Sequence, residues 1–259
     1  MSHVFEHMSA CGNRFAVLDG LRSTLPADPT RVARELEDGI DGLLVVRPVR
    51  GGAAHAAMEV YNRDGTRPEA CGNGLRCVAV VLARHGLGSE VRVATDAGVR
   101  ELRVLRAAPD WRVRAGMGRA RELRPGVELA TSHGCLSVTV VDVGNPHAVL
   151  FVDDVVRAPV ETLGPELERH ATFPAGVNVE FAAPSGPARI DVRVWERGVG
   201  ETAACGTGAL ACVLAAERAR LVTLPCEVAL PGGSLTVTRE RRGEAFVEGP
   251  VEAAAHAAG

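Results

Sequence analysis

Ala70-Cys-Gly-Asn-Gly74 and Ala204-Cys-Gly-Thr-Gly208 are two versions of one phrase, and each runs on into an apolar segment. After the first, Leu75, Val78, Ala79 and Leu82 fall at i, i+3, i+4 and i+7, the stripe of a helix, which Gly86 and Gly88 then stop. After the second, Leu210, Val213 and Leu214 share one helical face. Each phrase is thus a tight turn opening a helix, with a cysteine at its head. A single copy reads as a turn with an incidental thiol; the recurrence does not. The two cysteines, Cys71 and Cys205, stand 134 positions apart in 259, which predicts a duplicated fold.

Outward from these phrases the chain reads as short strands with few helices. Strands are expected at Val4–Met8, Phe15–Asp19, Leu43–Pro48, Met58–Asn62, Val91–Thr95 and Val99–Leu105, with a helix at Pro29–Asp38. A second cycle follows, with strands at Val113–Met117, Leu136–Asp142, Ala148–Val152, Val177–Ala183 and Ile190–Trp195. A helix is expected around Glu161–Arg169, and further strands near Val228, Leu235 and Phe246. Pro109 and Asp110 interrupt the pattern, so the boundary is placed there: residues 1–110 carry Cys71 and residues 111–259 carry Cys205, with the extreme C-terminus free to cross back.

Composition narrows the function. The net charge of −3 offers no electrostatic reason for a nucleic-acid or anionic-membrane partner, and 3% aromatic residues make a poor stacking surface. The chain has no lysine, which excludes a lysine Schiff base and the usual pyridoxal-phosphate chemistry. The N-terminus lacks a signal-peptide pattern and the longest aliphatic run, Val78–Ala83, is too short for a bilayer, so a cytoplasmic protein is expected. Seven cysteines without a C-x-x-C pair argue against both a disulfide framework and a zinc site. Cys77 and Cys212, deep in the two helices, are expected to be core residues.

A thiol at a helix start beside glycine amides can ionise and hold an anion. Bringing a thiol from about 8.5 to about 7 takes roughly 2 kcal/mol, and a partly buried helix N-terminus supplies up to about that. Two such thiols on opposite faces of an amino-acid α-carbon could remove and return its proton with no cofactor. They would titrate as a coupled pair. The backbone N–H groups of Gly72, Asn73, Gly206 and Thr207 would stabilise charge building on the substrate carboxylate.

At these residues the chain resembles the diaminopimelate epimerase family, from near its N-terminus to about Glu252. Glu69-Ala-Cys-Gly-Asn-Gly-Leu-Arg-Cys77 and Trp195-Glu-Arg-Gly-Val-Gly-Glu-Thr-Ala-Ala-Cys-Gly-Thr-Gly-Ala209 resemble its two cysteine motifs. Val143-Gly-Asn-Pro-His147, Val177-Asn-Val-Glu-Phe181 and Leu230-Pro-Gly-Gly-Ser-Leu235 match further stretches. The resemblance implies an α/β (α+β) fold of two pseudo-symmetric domains, each a mixed or antiparallel sheet wrapped around a central helix. It implies Cys71 and Cys205 as the catalytic pair. Asn13, Asn62, Asn145, Asn178, Glu196 and Arg197 become substrate-binding residues, His147 an active-site support, and a homodimer the usual assembly. It further implies interconversion of LL- and meso-2,6-diaminopimelate, a step toward lysine and peptidoglycan precursors, with no cofactor and no metal.

The chemistry of the residues agrees. Diaminopimelate carries an amino-acid group at each end; Arg197 can grip the distant carboxylate in bidentate fashion and Glu196 can pair with the ammonium. Two positions depart from the family pattern: Arg14 stands where aspartate is usual, and Gly42 where some members place glutamine. Arg14, beside Asn13, keeps open a sister racemase acting on another amino acid, such as histidine or a proline derivative. A third reading, of another class, is a non-catalytic thiol or metal-binding module.

Overall fold

The computed structural model describes residues 5–68, 71–240 and 243–253, and divides into two compact units. The first comprises the chain up to Gly116 together with the residues from Glu248 on, and the second runs from Met117 to Val247. The division thus falls after Gly116, a few residues beyond the boundary expected at 110. Pro109 and Asp110 lie in the turn between β6 (Gly98–Arg106) and β7 (Trp111–Gly118), which pair antiparallel with Leu102 opposite Ala115. The break in the pattern marks a hairpin, not a linker.

In the first unit the strands are β1 (Glu6–Ala10), β2 (Asn13–Asp19), β3 (Gly42–Pro48), β4 (Ala56–Asn62), β5 (Glu90–Thr95), β6 and β7. They follow one another in sheet order, β7 neighbours β16 (Ala245–Ala253), and β16 pairs with β1 through Met8–Ala253. Among the described residues these eight strands close a barrel. The helix α2 (Gly72–Arg84) packs against β1 to β6 and is buried all the way from Gly72 to Leu82. The one-sided stripe expected from sequence is therefore too modest: strands surround this helix, so even its off-stripe positions are apolar or small. A short α1 (Pro29–Arg34) lies against β3 and β4, ending at Glu35 and not at Asp38.

The second unit repeats the plan. Its strands are β8 (Glu122–Thr131), β9 (Gly134–Asp142), β10 (Pro146–Phe151), β11 (Asn178–Gly186), β12 (Arg189–Glu196), β14 (Cys226–Leu230) and β15 (Gly233–Arg239), in that sheet order, with β13 (Gly200–Thr202) beside β12. The helix α4 (Gly206–Arg218) packs on β9 to β12, β14 and β15, while α3 (Val160–Glu168) packs on β8, β11, β12 and β13. Parallel pairs occur at matching places: β2 with β3 and β4 with β5 in one unit, β10 with β11 and β12 with β14 in the other. Each of these pairs is joined by a crossover helix, as parallel neighbours require.

Strand alternation sorts the side chains by face. In β3, Leu43 and Val45 join Ala16, Leu18, Ala33 and Ile40 in one core cluster, while Leu44 meets α2. In β11, Val179 and Phe181 join Leu150, Val160, Leu163 and Leu167 of the second cluster, while Glu180 meets α4. Two strands went unread in the sequence. β8 holds Pro125 and Gly126 inside a mostly exposed run with a register shift between Arg124 and Val127, so it imitates a turn. β13 is three residues long.

Candidate active site

Cys71 and Cys205 are the N-caps of α2 and α4, two helices of 13 residues each. The Gly74 amide donates to the Cys71 sulfur at 3.4 Å, and the Gly208 amide donates to the Cys205 sulfur at 3.4 Å. A thiol thus takes the place of the usual Ser or Asp cap. The second glycine of each phrase is required by packing. A Cβ on Gly74 would lie 2.7 Å from Leu44 Cδ2, and one on Gly208 would lie 2.7 Å from Glu180 Oε1. Ala70, which precedes the first cysteine, lies outside the described residues.

In the first unit Asn13 and Asn73 come together: the Asn73 amide donates to Asn13 Oδ1. Asn73 Oδ1 in turn accepts from Arg76 Nη2 at 2.7 Å, and Arg76 also donates to the Gly72 carbonyl at 3.3 Å. Arg76 is wholly buried. Asn62, at the end of β4, donates its side-chain amide to Thr66 Oγ1 at 2.9 Å, which fixes its orientation in the turn. Arg14 and Asn13 are adjacent on an extended strand, so their side chains take opposite faces. Phe15, on Asn13's face, is buried, whereas Arg14 is exposed and lines a surface cavity with His7, Ser9 and Glu252. Its backbone N–H is held by Asp41 Oδ2 at 2.7 Å. Gly42 is buried, and a Cβ there would meet the Tyr61 carbonyl at 2.8 Å.

In the second unit the expected residues are linked by hydrogen bonds. His147 and Glu180 are both fully buried, with Nδ1 and Oε1 2.6 Å apart. His147 Nε2 lies 3.1 Å from Asn145 Oδ1, and the Asn145 amide donates to Thr207 Oγ1 at 3.4 Å. Thr207 Oγ1 lies 3.3 Å from the Cys205 sulfur. Asn178 is also buried; it donates to the Pro146 carbonyl at 3.0 Å and accepts from the Arg197 amide at 3.0 Å. Glu196 accepts from Thr202 Oγ1 at 2.6 Å, and the exposed Arg197 donates to the Ala175 carbonyl at 3.1 Å. Glu168 braces this corner, accepting from Trp195 Nε1 at 2.7 Å and from the Gly198 amide at 2.9 Å.

At Cys205 burial opposes the lowering expected of a helix start. Burial pushes Cys205 well above the ordinary range, the carboxylates of Glu196 and Glu180 push it further, and the Thr207 and Gly208 hydrogen bonds only partly oppose them. Burial likewise raises Glu196, against the pull of Thr202 and His147. Cys77 and Cys212 are fully buried, as expected of core thiols; burial raises Cys77 to about 12 and Cys212 well above its ordinary range.

Sequence reading passed over Glu180 and Arg76. Both lay inside the quoted motifs, and both had a signal: a lone charge inside a run of otherwise apolar residues that then proves buried throughout, Val179–Ala183 for one and Leu75–Leu82 for the other.

The fold is one found in solved racemases, epimerases and phenazine biosynthesis proteins. It is shared with a predicted epimerase from Pseudomonas aeruginosa, at a TM-score of 0.76 and 19% identity over 98% of both chains. A hydroxyproline epimerase from Agrobacterium vitis matches at a TM-score of 0.70 and 18% identity, over 96% of this chain and 88% of that one. The diaminopimelate epimerase family model matches residues 5–123 and 139–254, and the chain belongs to that family. The diaminopimelate epimerase of Halorhodospira halophila is 43% identical over 90% of this chain and 86% of its own. That of Desulforudis audaxviator is 38% identical over 96% of both. Among the described residues no helix is long and apolar enough to cross a membrane.

Proposed function

We propose that the protein interconverts LL- and meso-2,6-diaminopimelate by a two-thiol, cofactor-independent mechanism. The observation that carries this is the repetition of one thiol cap in both units, Cys71 on Gly74 and Cys205 on Gly208. One thiol takes the α-proton while the other supplies one from the opposite face. Burial and the carboxylates of Glu196 and Glu180 favour the protonated form of Cys205, as suits a proton-donating member of the pair. After a turnover the roles exchange, and the reverse reaction starts from that state. The N–H groups of Gly72, Asn73, Gly206 and Thr207 hold the carboxylate on which carbanion charge collects.

Recognition of the second amino-acid group falls to Asn62, Asn178, Glu196 and Arg197. The Asn178 side chain bonds the Arg197 backbone amide, so the residue that pairs with a distant carboxylate is set by one that is buried. A racemase of a simple monocarboxylate would have no use for this set. Arg14, on the strand face opposite Asn13, is the residue that favours a different amino-acid substrate. The working context we propose is a cytoplasmic homodimer in lysine and peptidoglycan precursor synthesis.

Incubating the reduced protein with LL-diaminopimelate in heavy water is expected to wash deuterium into the α-position and yield the meso isomer. Absence of exchange would reject the reading. Turnover of histidine or proline derivatives in preference to diaminopimelate would replace it with the sister racemase.

A further inference from the structure

The two units carry different residues at equivalent stations beside their thiols. Leu44 pairs with Val17 across the parallel β2–β3 ladder and with Val60 on β4. Glu180 pairs with Val149 across the parallel β10–β11 ladder and with Val194 on β12. Each sits against the second glycine of the cysteine phrase, at 2.7 Å from where a Cβ would be. In the same way Phe15, opposite Gly42, corresponds to His147, opposite Asn178. An apolar Phe–Leu pair in one unit is therefore an ionisable His–Glu pair in the other.

Packing does not demand that pair, because the first unit fills the same stations with hydrocarbon. Glu180 is fully enclosed, and its Oε2 has no hydrogen-bond partner among the described residues. A buried carboxylate so poorly satisfied weakens the fold unless something else requires it. Among the described residues its side chain is hydrogen-bonded to His147. Asn145 Oδ1 can only accept, so His147 Nε2 must donate to it. The proton between Nδ1 and Oε1 then fixes the ring plane, as a carboxylate behind a histidine does in other acid–base sites. From Nε2 the line of contacts passes through Asn145 and Thr207 to the Cys205 sulfur.

We propose that Glu180 is a positioning residue for Cys205: it clamps His147, and through Asn145 sets the Thr207 hydroxyl against that sulfur. At the corresponding positions in the first unit stand Leu44 and Phe15. The proposal rests on the reading of Cys205 as an acid–base group. Glu180, by its bond to His147, is a positioning residue and not a catalytic one.

The test is a double-mutant cycle with Glu180→Gln, His147→Asn and the double variant. It is read by kcat and KM for diaminopimelate, by thermal melting, and by the ¹⁵N shifts of the His147 ring without substrate. Glu180→Gln is expected to lower kcat about ten- to a hundredfold with KM within about twofold, as for an orienting partner of a working histidine. It is also expected to move the ring shifts. In the His147→Asn background the same change should cost less than about twofold, because its route is already cut. Glu180→Asp keeps the charge but shortens the reach, and should lose as much as Glu180→Gln; it also serves if the Gln variant does not fold. Equal losses in both backgrounds, a fully active Asp variant, or unmoved ring shifts would overturn the proposal. If wild-type protein does not turn over diaminopimelate, the functional reading fails, while the ring shifts still decide what Glu180 does.

Discussion

Cys71 and Cys205 cap their helices with one geometry, φ −139° and ψ 111° for the first and φ −125° and ψ 119° for the second, each sulfur accepting the amide three residues on. Such likeness makes each thiol a built part of its unit. Replacing either by serine keeps a cap but substitutes a hydroxyl that scarcely ionises. Cys71→Ser and Cys205→Ser are each expected to lower epimerisation by at least about 10²-fold, the usual weight of a positioned acid or base. Melting should shift little. Deuterium wash-in from each stereoisomer, compared between the two variants, checks this and reports which thiol serves which isomer.

Alkaline pH should weaken the fold through its enclosed thiols. Burial raises Cys77 to about 12 and holds Cys205 and Cys212 well above their ordinary range, whereas the unfolded chain ionises its cysteines at about 8.5. Above that value the folded state keeps more protons than the unfolded one. Stability is thus complete below about pH 8.5 and falls by about 1.4 kcal/mol per pH unit for each such thiol until its folded value is reached. Urea midpoints between pH 8 and 10.5 should show this decline. Cys77→Ala should make it shallower, and an unchanged slope would contradict the assignment.

Much of this was legible because the decisive phrases are local. Cys-Gly-x-Gly followed by an apolar run specifies cap, turn and helix within ten residues, and it occurs twice. The strands of β2, β3, β11 and β12 announce themselves by aliphatic runs. What stayed hidden depends on neighbours distant in the chain. That Arg14 faces away from Asn13 follows from strand alternation, but only once residue 15 is known to point inward. Glu180 lies 33 positions from His147, so nothing local marks the pair. The hairpin at Pro109 looked like a domain boundary because a turn and a linker share their residues.

The corner that presents Glu196 and Arg197 depends on two glycines. A Cβ on Gly164 would lie 2.8 Å from the Trp195 ring, and one on Gly176 would lie 2.9 Å from Arg197 Cδ at a backbone φ of +74°. Gly164→Ala overpacks α3 against a fixed indole and is expected to cost about 1–3 kcal/mol of stability. Gly176→Ala combines backbone strain with displacement of Arg197, so KM should rise more than kcat falls. Arg197→Lys should give the same kinetic pattern, because a point charge cannot reproduce the bidentate grip. Steady-state constants for the last two variants decide the matter; a selective fall in kcat would place Arg197 at the chemistry and not at the distant end.

Arg76 offers a prediction in which stability and activity part company. It is fully buried in α2, its Nε has no hydrogen-bond partner among the described residues, and its Nη2 holds Asn73 Oδ1 at 2.7 Å. The Gly72 carbonyl, the Cys11 sulfur and Asn73 satisfy this buried cation only in part, a cost that an unbranched apolar side chain of similar length would not carry. Arg76→Met is therefore expected to leave the melting temperature level or higher. The same change removes the Arg76 bond to Asn73, whose amide is bonded to Asn13, and so loosens the orientation of that pair. Activity should fall by about tenfold or more, the scale seen when a supporting partner of a site residue is removed. Melting curves and deuterium exchange on one preparation would separate the two effects. A variant both less stable and fully active would show that Arg76 serves the helix and not the site.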